Sequence, residues 1–326
     1  MLKLHDWIDE TKLDLLGLCH NPNAISLINK NLEKLCTSCW KALCKNPDPN
    51  AIHLLEQNPD KIDWWYISAN PNALSLLNQN PRKIRWEYVC LNPNPDVIPW
   101  LEERLEKANG NWVLAFNSTR SHALLSQNPN AINLLKKYSN KLYWPTLSLN
   151  PSAISLLKQH PEHIDWNELA RNPNAISLIE KRLENSNDNV NEPDDIYNNP
   201  RFWFNLSENP NAIHLLEQRG KKSYEIETDD WIKKIDHLID WWLLSENPNA
   251  IHLLKKYPEK IEWHYFSKNP SIFTYDYDAM HERCLIFKEE LMKNRFHPRN
   301  LGKFRDWRID GFDSDSDGDD SDNDTQ

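Results

Sequence analysis

Apolar residues recur along the chain in two alternating registers. In Asn70-Pro71-Asn72-Ala73-Leu74-Ser75-Leu76-Leu77, the apolar positions Ala73, Leu74, Leu76 and Leu77 form one stripe of a short helix. After Asn80-Pro81, Ile84 and Trp86 open a second apolar run that ends at Asn92-Pro93, where the pattern restarts. The Asn-Pro step recurs at Pro22, Pro47, Pro71, Pro93, Pro129, Pro151, Pro173, Pro210, Pro248 and Pro270, with a spacing of 22 residues wherever no insertion intervenes. Such internal repetition marks a chain whose units each need only their neighbours.

Each repeated position has a physical reason. Asn before Pro suits a helix N-cap, its side chain accepting a backbone N–H, and Pro loses nothing at the first helical position. The second Pro (Pro59, Pro81, Pro161, Pro258) ends the leucine helix or starts the turn. An acidic residue before the next tryptophan (Asp63, Asp165, Asp240, Glu262) can cap a second short helix. Ile-x-Trp also alternates as a strand would, but the segment is short and runs directly into the next Asn-Pro, so paired helices are the better reading. Helices this short are marginal alone. The repeat tryptophans Trp40, Trp64, Trp86, Trp144, Trp166, Trp203, Trp241 and Trp263 are therefore expected to be core wedges between units.

The ends depart from the pattern. Lys12-Leu13-Asp14-Leu15-Leu16 reads as half a unit, with Trp7 and Ile8 placed to cover an open end of the stack. A degenerate copy is expected through Thr119 to Leu125, with Leu124 and Leu125 as its paired leucines. After Pro270 the paired leucines are missing. A longer helix from Ala279 to about Arg295 is expected, capped by Asp278, with Met280, Leu285, Ile286 and Met292 facing inward, followed by a last short helix from Leu301 to Ile309.

These readings add up to an all-α fold: a right-handed-type α-solenoid of about eleven short helical hairpins with capped ends. The expected organisation is an N-terminal half-repeat cap at 1–20, repeats over 21–274 with insertions at about 185–199 and 219–230, a helical C-terminal cap at 275–312, and a disordered acidic tail at 313–326.

Composition changes this picture in few places. The formal charge is −10, yet seven aspartates between Asp313 and Asp324 account for most of it, leaving the body near −3. Neither part is a basic nucleic-acid surface, so nucleic acid is a disfavoured partner. Only Arg283 to Arg308 is locally basic. The mean hydropathy of −0.76 and the lack of a long apolar run exclude a membrane-spanning helix. The acidic residues near the N-terminus do not fit a signal peptide. The expected setting is intracellular, and six cysteines there read as reduced thiols.

The repeat Asn-Pro-Asn-Ala-Ile-x-Leu-Leu with Pro-x-Lys-Ile-x-Trp, as from Pro248 to Ser267, resembles the tandem repeats of proteins from giant DNA viruses of mimivirus-like lineages. The ending resembles theirs as well: Asn269 to Phe273, Phe287 to Leu291, and His297 to Leu301. The resemblance spans roughly Trp7 to Phe312. It implies a viral origin, expression in host cytoplasm with packaging in particles as an option, and a family of uncharacterised function, so it carries over no catalytic or binding residue.

Candidate chemistry is sparse. Cys36 and Cys39, with Cys44 following, form the one metal-like cluster, but a structural zinc site wants two ligand pairs, and Cys44 aligns with Ser148, Ser207 and Ser245 of other repeats. Buried structural thiols are the plainer reading. His53, His214 and His252 share one outer repeat position where other copies carry serine. No glycine-rich phosphate loop or catalytic triad stands out, so no enzyme activity and no cofactor are expected. Ser314, Ser316 and Ser321, among aspartates, suit acidophilic phosphorylation. The expectation is a non-enzymatic scaffold for a protein partner, of the virus or its host, with RNA or nucleoprotein binding as the alternative.

Overall fold

The computed structural model of the protein describes residues 2–137, 142–186, 196–222, 232, 235–294 and 299. The chain divides into two compact units, Leu4–Thr274 and a smaller one of Met1–Lys3 with Tyr275–Gln326. The described residues are mostly helical, with one short strand pair, β1 (Leu2–Leu4) and β2 (Phe273–Tyr275).

Two series of helices alternate along the large unit. The leucine series is α2 (Ile25–Asn29), α4 (Pro49–Glu56), α6 (Leu74–Gln79), α8 (Ile98–Lys107), α11 (Ile132–Lys137), α13 (Ile154–Gln159), α15 (Ile176–Ser186), α17 (Ile213–Lys222) and α19 (Ile251–Lys256). The tryptophan series is α1 (Leu15–His20), α3 (Thr37–Lys45), α5 (Trp64–Ser68), α7 (Trp86–Val89), α10 (Ser121–Gln127), α12 (Trp144–Ser148), α14 (Trp166–Leu169), α16 (Pro200–Leu206), α18 (Trp241–Glu246) and α20 (Trp263–Lys268). An extra helical turn, α9 (Trp112–Phe116), sits between α8 and α10, and α21 (Tyr277–Asn294) follows the repeats. The second proline of the motif starts a 3-10 turn, as at Pro59–Lys61, Pro81–Lys83 and Pro258–Lys260. Asp63, Asp165 and Asp240 cap α5, α14 and α18 through their carboxylates, whereas Glu262 makes no such bond.

The asparagine before proline does more than cap. Asn21, Asn46, Asn70, Asn92, Asn128, Asn150, Asn172, Asn209, Asn247 and Asn269 are all at most 1% exposed. Each Oδ1 accepts the N–H two residues on, as Asn72 N–H to Asn70 Oδ1 at 2.9 Å, and so shapes the turn before the leucine helix. Each Nδ2 then donates twice into the preceding repeat: that of Asn150 reaches the carbonyls of Ser126 and Asn128, both at 2.9 Å. Most leucine helices themselves start three or four residues later, as do those with Ala24, Ala73 and Ala153 at their N-caps and no side-chain cap bond. The second asparagine of the motif adds an outer rung, as Asn94 Nδ2 to the Pro71 carbonyl at 2.8 Å.

Two residues before each buried asparagine sits a small side chain. Ser68, Ser148 and Ser267 donate to the carbonyl one helical turn back, and their hydroxyls accept an N–H from the next repeat: Arg85, Asp165 and Asp14 respectively. Cys44 takes this place in α3, its Sγ accepting the Asp63 N–H at 3.3 Å.

The ladder closes on itself. Asn21 donates to Ser267 O at 3.0 Å and Asn269 O at 2.8 Å, the same pair of bonds that joins every other neighbouring repeat. Asn23 reaches the Pro270 carbonyl at 2.9 Å, and His264 Nδ1 lies 2.7 Å from Asp14 Oδ2. Helix α1 thus packs on both α3 and α20. The half-units at the two ends combine into one repeat, its leucine part represented by the turn Pro270–Ile272 and its tryptophan helix by α1. Trp7 packs against Phe266 of the last repeat, ring centroids 5.8 Å apart, so it covers this seam rather than an open end.

Three further expectations are corrected. Ten asparagine steps make ten repeats rather than about eleven. The stretch with Leu124 and Leu125 is no extra leucine helix: it is α10, the tryptophan-series helix of its repeat, with Ser126 and Asn128 in register and His122 where tryptophan stands elsewhere. In α21, Met280, Leu285, Ile286 and Met292 are exposed rather than inward-facing, and Asp276, not Asp278, caps the helix through the Ala279 N–H. The expected helix at Leu301 to Ile309, the acidic tail, and residues 187–195 and 223–230 of the insertions lie outside the described residues.

Two predictions follow from these bonds. Asn150→Asp sets a carboxylate against two carbonyls it cannot donate to, and should cost about 3–5 kcal/mol in chemical denaturation. Asn130→Asp loses one exposed bond to Pro93 and should cost under about 1 kcal/mol; equal costs would remove the ladder from its central role. At the seam, a Cβ on Gly17 would collide with the His264 carbonyl and lie 2.7 Å from Ser267 Cβ. Gly17→Ala should therefore speed amide hydrogen exchange in α1 and α20 while α12 and α14 keep their protection.

Candidate interaction surface

The repeat tryptophans are not uniform core wedges. Trp40 and Trp203 are buried, at 7% and 1% exposed. Trp64, Trp86, Trp144, Trp166, Trp241 and Trp263 are half-buried, one part packed on the core. A side chain of the following repeat covers most of them. Lys83 lies over Trp64 at 4.7 Å and Lys260 over Trp241 at 5.4 Å. His163, in the same repeat position, stacks on Trp144 with centroids 4.5 Å apart. Where the leucine helix is longer, arginine serves instead: Arg104 over Trp86, Arg182 over Trp166 and Arg219 over Trp203. At the seam, Lys12 lies over Trp263 at 5.2 Å, so this contact closes as the asparagine ladder does. The lysine of the Lys-Ile-x-Trp motif, which sequence reasoning left without a role, is the cation of this pair. Its fixed place three residues before tryptophan was the available signal.

Shallow grooves lie where one repeat's tryptophan helix meets the next repeat's turn. One of about 380 Å³ is lined by Trp40, Lys61, Ile62 and Asp63, and one of about 470 Å³ by Phe204, Trp241, Trp242, Glu259 and Glu262. Trp241 and Lys260, which line the second, both reach Asp236: it accepts the Lys260 ammonium at 2.8 Å and the Trp241 indole N–H at 2.7 Å, and the ammonium chiefly holds its carboxyl below the usual range.

Two repeats place a second tryptophan beside the first, and both are exposed: Trp65 at 45% and Trp242 at 54%. Each meets an aromatic ring of the next repeat. Trp242 stacks on Tyr265 at 5.6 Å and 19°, while Trp65 meets Tyr88 edge-on at 5.3 Å under the Arg85 guanidinium. The exposed Trp65 and Trp242 rings are surface features that the repeat pattern does not account for.

The cysteines separate. Cys36 and Cys39 come together, with Sγ atoms 3.2 Å apart, but Cys44 is buried in the serine position, where burial pushes its thiol up to about 11. Among the described residues no group of three or more His, Cys, Asp or Glu side chains could hold a metal ion. His53, His214 and His252 are exposed, and the first two face Glu56 and Glu180. Ser314, Ser316 and Ser321 lie outside the described residues. Among the described residues, no helix is long and apolar enough to cross a membrane.

No family model, curated protein or solved structure matches the chain.

His20, the residue before the first buried asparagine, lies within electrostatic reach of Lys268 and Lys45. Burial first, and then these two ammonium groups, push its imidazole down to about 4. The folded state therefore holds it neutral while the unfolded chain protonates near its ordinary pKa of 6.5, so stability should fall as pH drops from about 6.5 toward 4. Denaturation midpoints of His20→Gln should fall less steeply over that window than those of the parent; parallel curves would show that His20 does not titrate as inferred.

Proposed function

We propose that the chain is a non-enzymatic repeat scaffold that binds a protein partner through exposed aromatic side chains on the tryptophan-series helices. The observation that carries this reading is the Trp242–Tyr265 stack beside the groove at Trp241, with Trp65, Tyr88 and Arg85 forming a related cluster. Tryptophan, tyrosine and arginine dominate binding hot spots because they bury much area at little entropic cost. In each cluster the rings already brace one another across a repeat boundary, so little ordering remains to be done on binding. The shallow, open grooves suit a polypeptide surface better than an enclosed small molecule. The resemblance to giant-virus repeat proteins makes an intracellular partner, of host or virus, the accompanying proposal.

The test is affinity capture with the full chain from infected cells, comparing the parent with Trp65→Ala and Trp242→Ala. Both positions are about half exposed, so losing the ring contact should lower the melting temperature by only a few degrees. Recovery of a defined protein that survives nuclease and falls at least about tenfold in one variant supports the proposal. Equal recovery by all three forms, or recovery that nuclease abolishes together with bound RNA, would overturn it.

A further inference from the structure

We propose that Cys36 and Cys39 form a redox-active dithiol, Cys36 as the attacking thiol and Cys39 as the resolving one, which exchanges with low-molecular-weight disulfides such as glutathione disulfide. The pair is already close to bonding geometry. Cys36 is the N-cap of α3 and Cys39 lies one turn on, their Sγ atoms 3.2 Å apart, with the Cys39 N–H donating to Cys36 Sγ at 3.4 Å. Capping of this kind puts the sulfur where the unpaired N–H groups of the first turn favour a thiolate. A disulfide needs the two sulfurs at about 2.0 Å, a shift of roughly 1 Å that side-chain rotation can supply.

The two thiols differ in the way exchange chemistry requires. Cys36 is exposed and open to a dissolved disulfide, whereas Cys39 is 2% exposed and out of its reach. The hydrogen bond from Cys39 chiefly holds the Cys36 thiol below its ordinary value, and burial chiefly holds Cys39 above. Cys19 on α1 lies next to Cys39, but it is fully buried and has no access to solvent. Cys44 is buried and faces Asp63 instead, so it is no second resolving thiol for Cys36.

The reaction balances in two steps. The Cys36 thiolate attacks one sulfur of glutathione disulfide, forming a Cys36–glutathione bond and releasing glutathione thiolate. Cys39 then gives up its proton and attacks Cys36 Sγ, breaking that bond, forming the Cys36–Cys39 disulfide and releasing a second glutathione. Two protein thiols are oxidised, and one glutathione disulfide is reduced to two thiols.

Lys34 and Lys41 flank the pair, so trypsin yields one peptide, Leu35 to Lys41, containing both cysteines. The reduced full chain is incubated with glutathione disulfide, alkylated, digested and weighed. The parent peptide should lose two hydrogens and escape alkylation, while Cys39→Ser should accumulate glutathione on Cys36 at least about tenfold above the parent. Cys36→Ser should remain unoxidised at Cys39. A parent peptide that stays doubly alkylated, or that holds glutathione on Cys36 as persistently as Cys39→Ser does, would overturn the proposal. So would oxidation that joins two chains through Cys36. Should Cys39→Ser fail to fold, the mass of the parent peptide decides the matter.

Discussion

The structure depends on a carboxamide buried between repeats. A primary amide offers two donor hydrogens and an acceptor on one rigid plane, and each buried asparagine uses all three. The acceptor shapes its own turn, and the donors hold two carbonyls of the repeat before. Because buried polar groups are costly when unpaired, the same rung must form at every boundary, and repeats cannot slide against one another. The ladder also tolerates irregular spacing. Asn128, Asn209 and Asn247 reach back across 36 to 38 residues to the preceding asparagine, against 22 for Asn92, yet make the same pair of bonds. Insertions therefore lengthen the connections and leave the boundary unchanged.

Closure follows from the same rung. An open array needs modified end units to shield its terminal faces. Here the first and last repeats shield each other, and the cost of a missing partner is avoided at both ends. The seam demands a close approach, and Gly17 makes room for the His264 carbonyl. Breaking any one boundary of a closed array leaves the chain joined through all the others, so local opening is resisted by neighbours on both sides. Stability is therefore shared around the circuit more evenly than in a linear stack, where ends fray first.

Much of this was legible in the residues. The two helix types, the proline-started turns and the acidic caps come from local rules, and those rules operate within a few residues. The donor half of the asparagine was missed because its partners lie a whole repeat away. A signal did exist: the residue before proline is asparagine in all ten copies and never Asp, Ser or Thr, although any of these would cap a helix. Only a required donor explains that restriction. The second asparagine, whose bond is exposed, is replaced at Asp48, Ser152 and Ser271. Closure was present in the arithmetic of the ends, where half a repeat at Lys12 to Leu16 complements half a repeat at Asn269 to Phe273. Leu124 and Leu125 were misassigned because residue type was weighed above register from Asn128. The wedge picture of tryptophan was incomplete for a related reason, since packing of one face on the core says nothing about the cation over the other.

If the chain is the scaffold proposed above, its ten copies can distinguish a partner only where they differ. The position after the repeat tryptophan is Trp65 and Trp242 in two repeats, but Glu87, Asn167 and His264 in others. A second tryptophan there is only partly buried, with about half of its surface left in water. Its stabilisation comes from the ring it meets across the boundary, Tyr88 in one case and Tyr265 in the other. Both partners occupy equivalent positions in their repeats, so each cluster needs matched substitutions in two neighbouring copies. On the proposed reading, this pairing of aromatic residues, present twice in coordinated form, is where a partner would make contact.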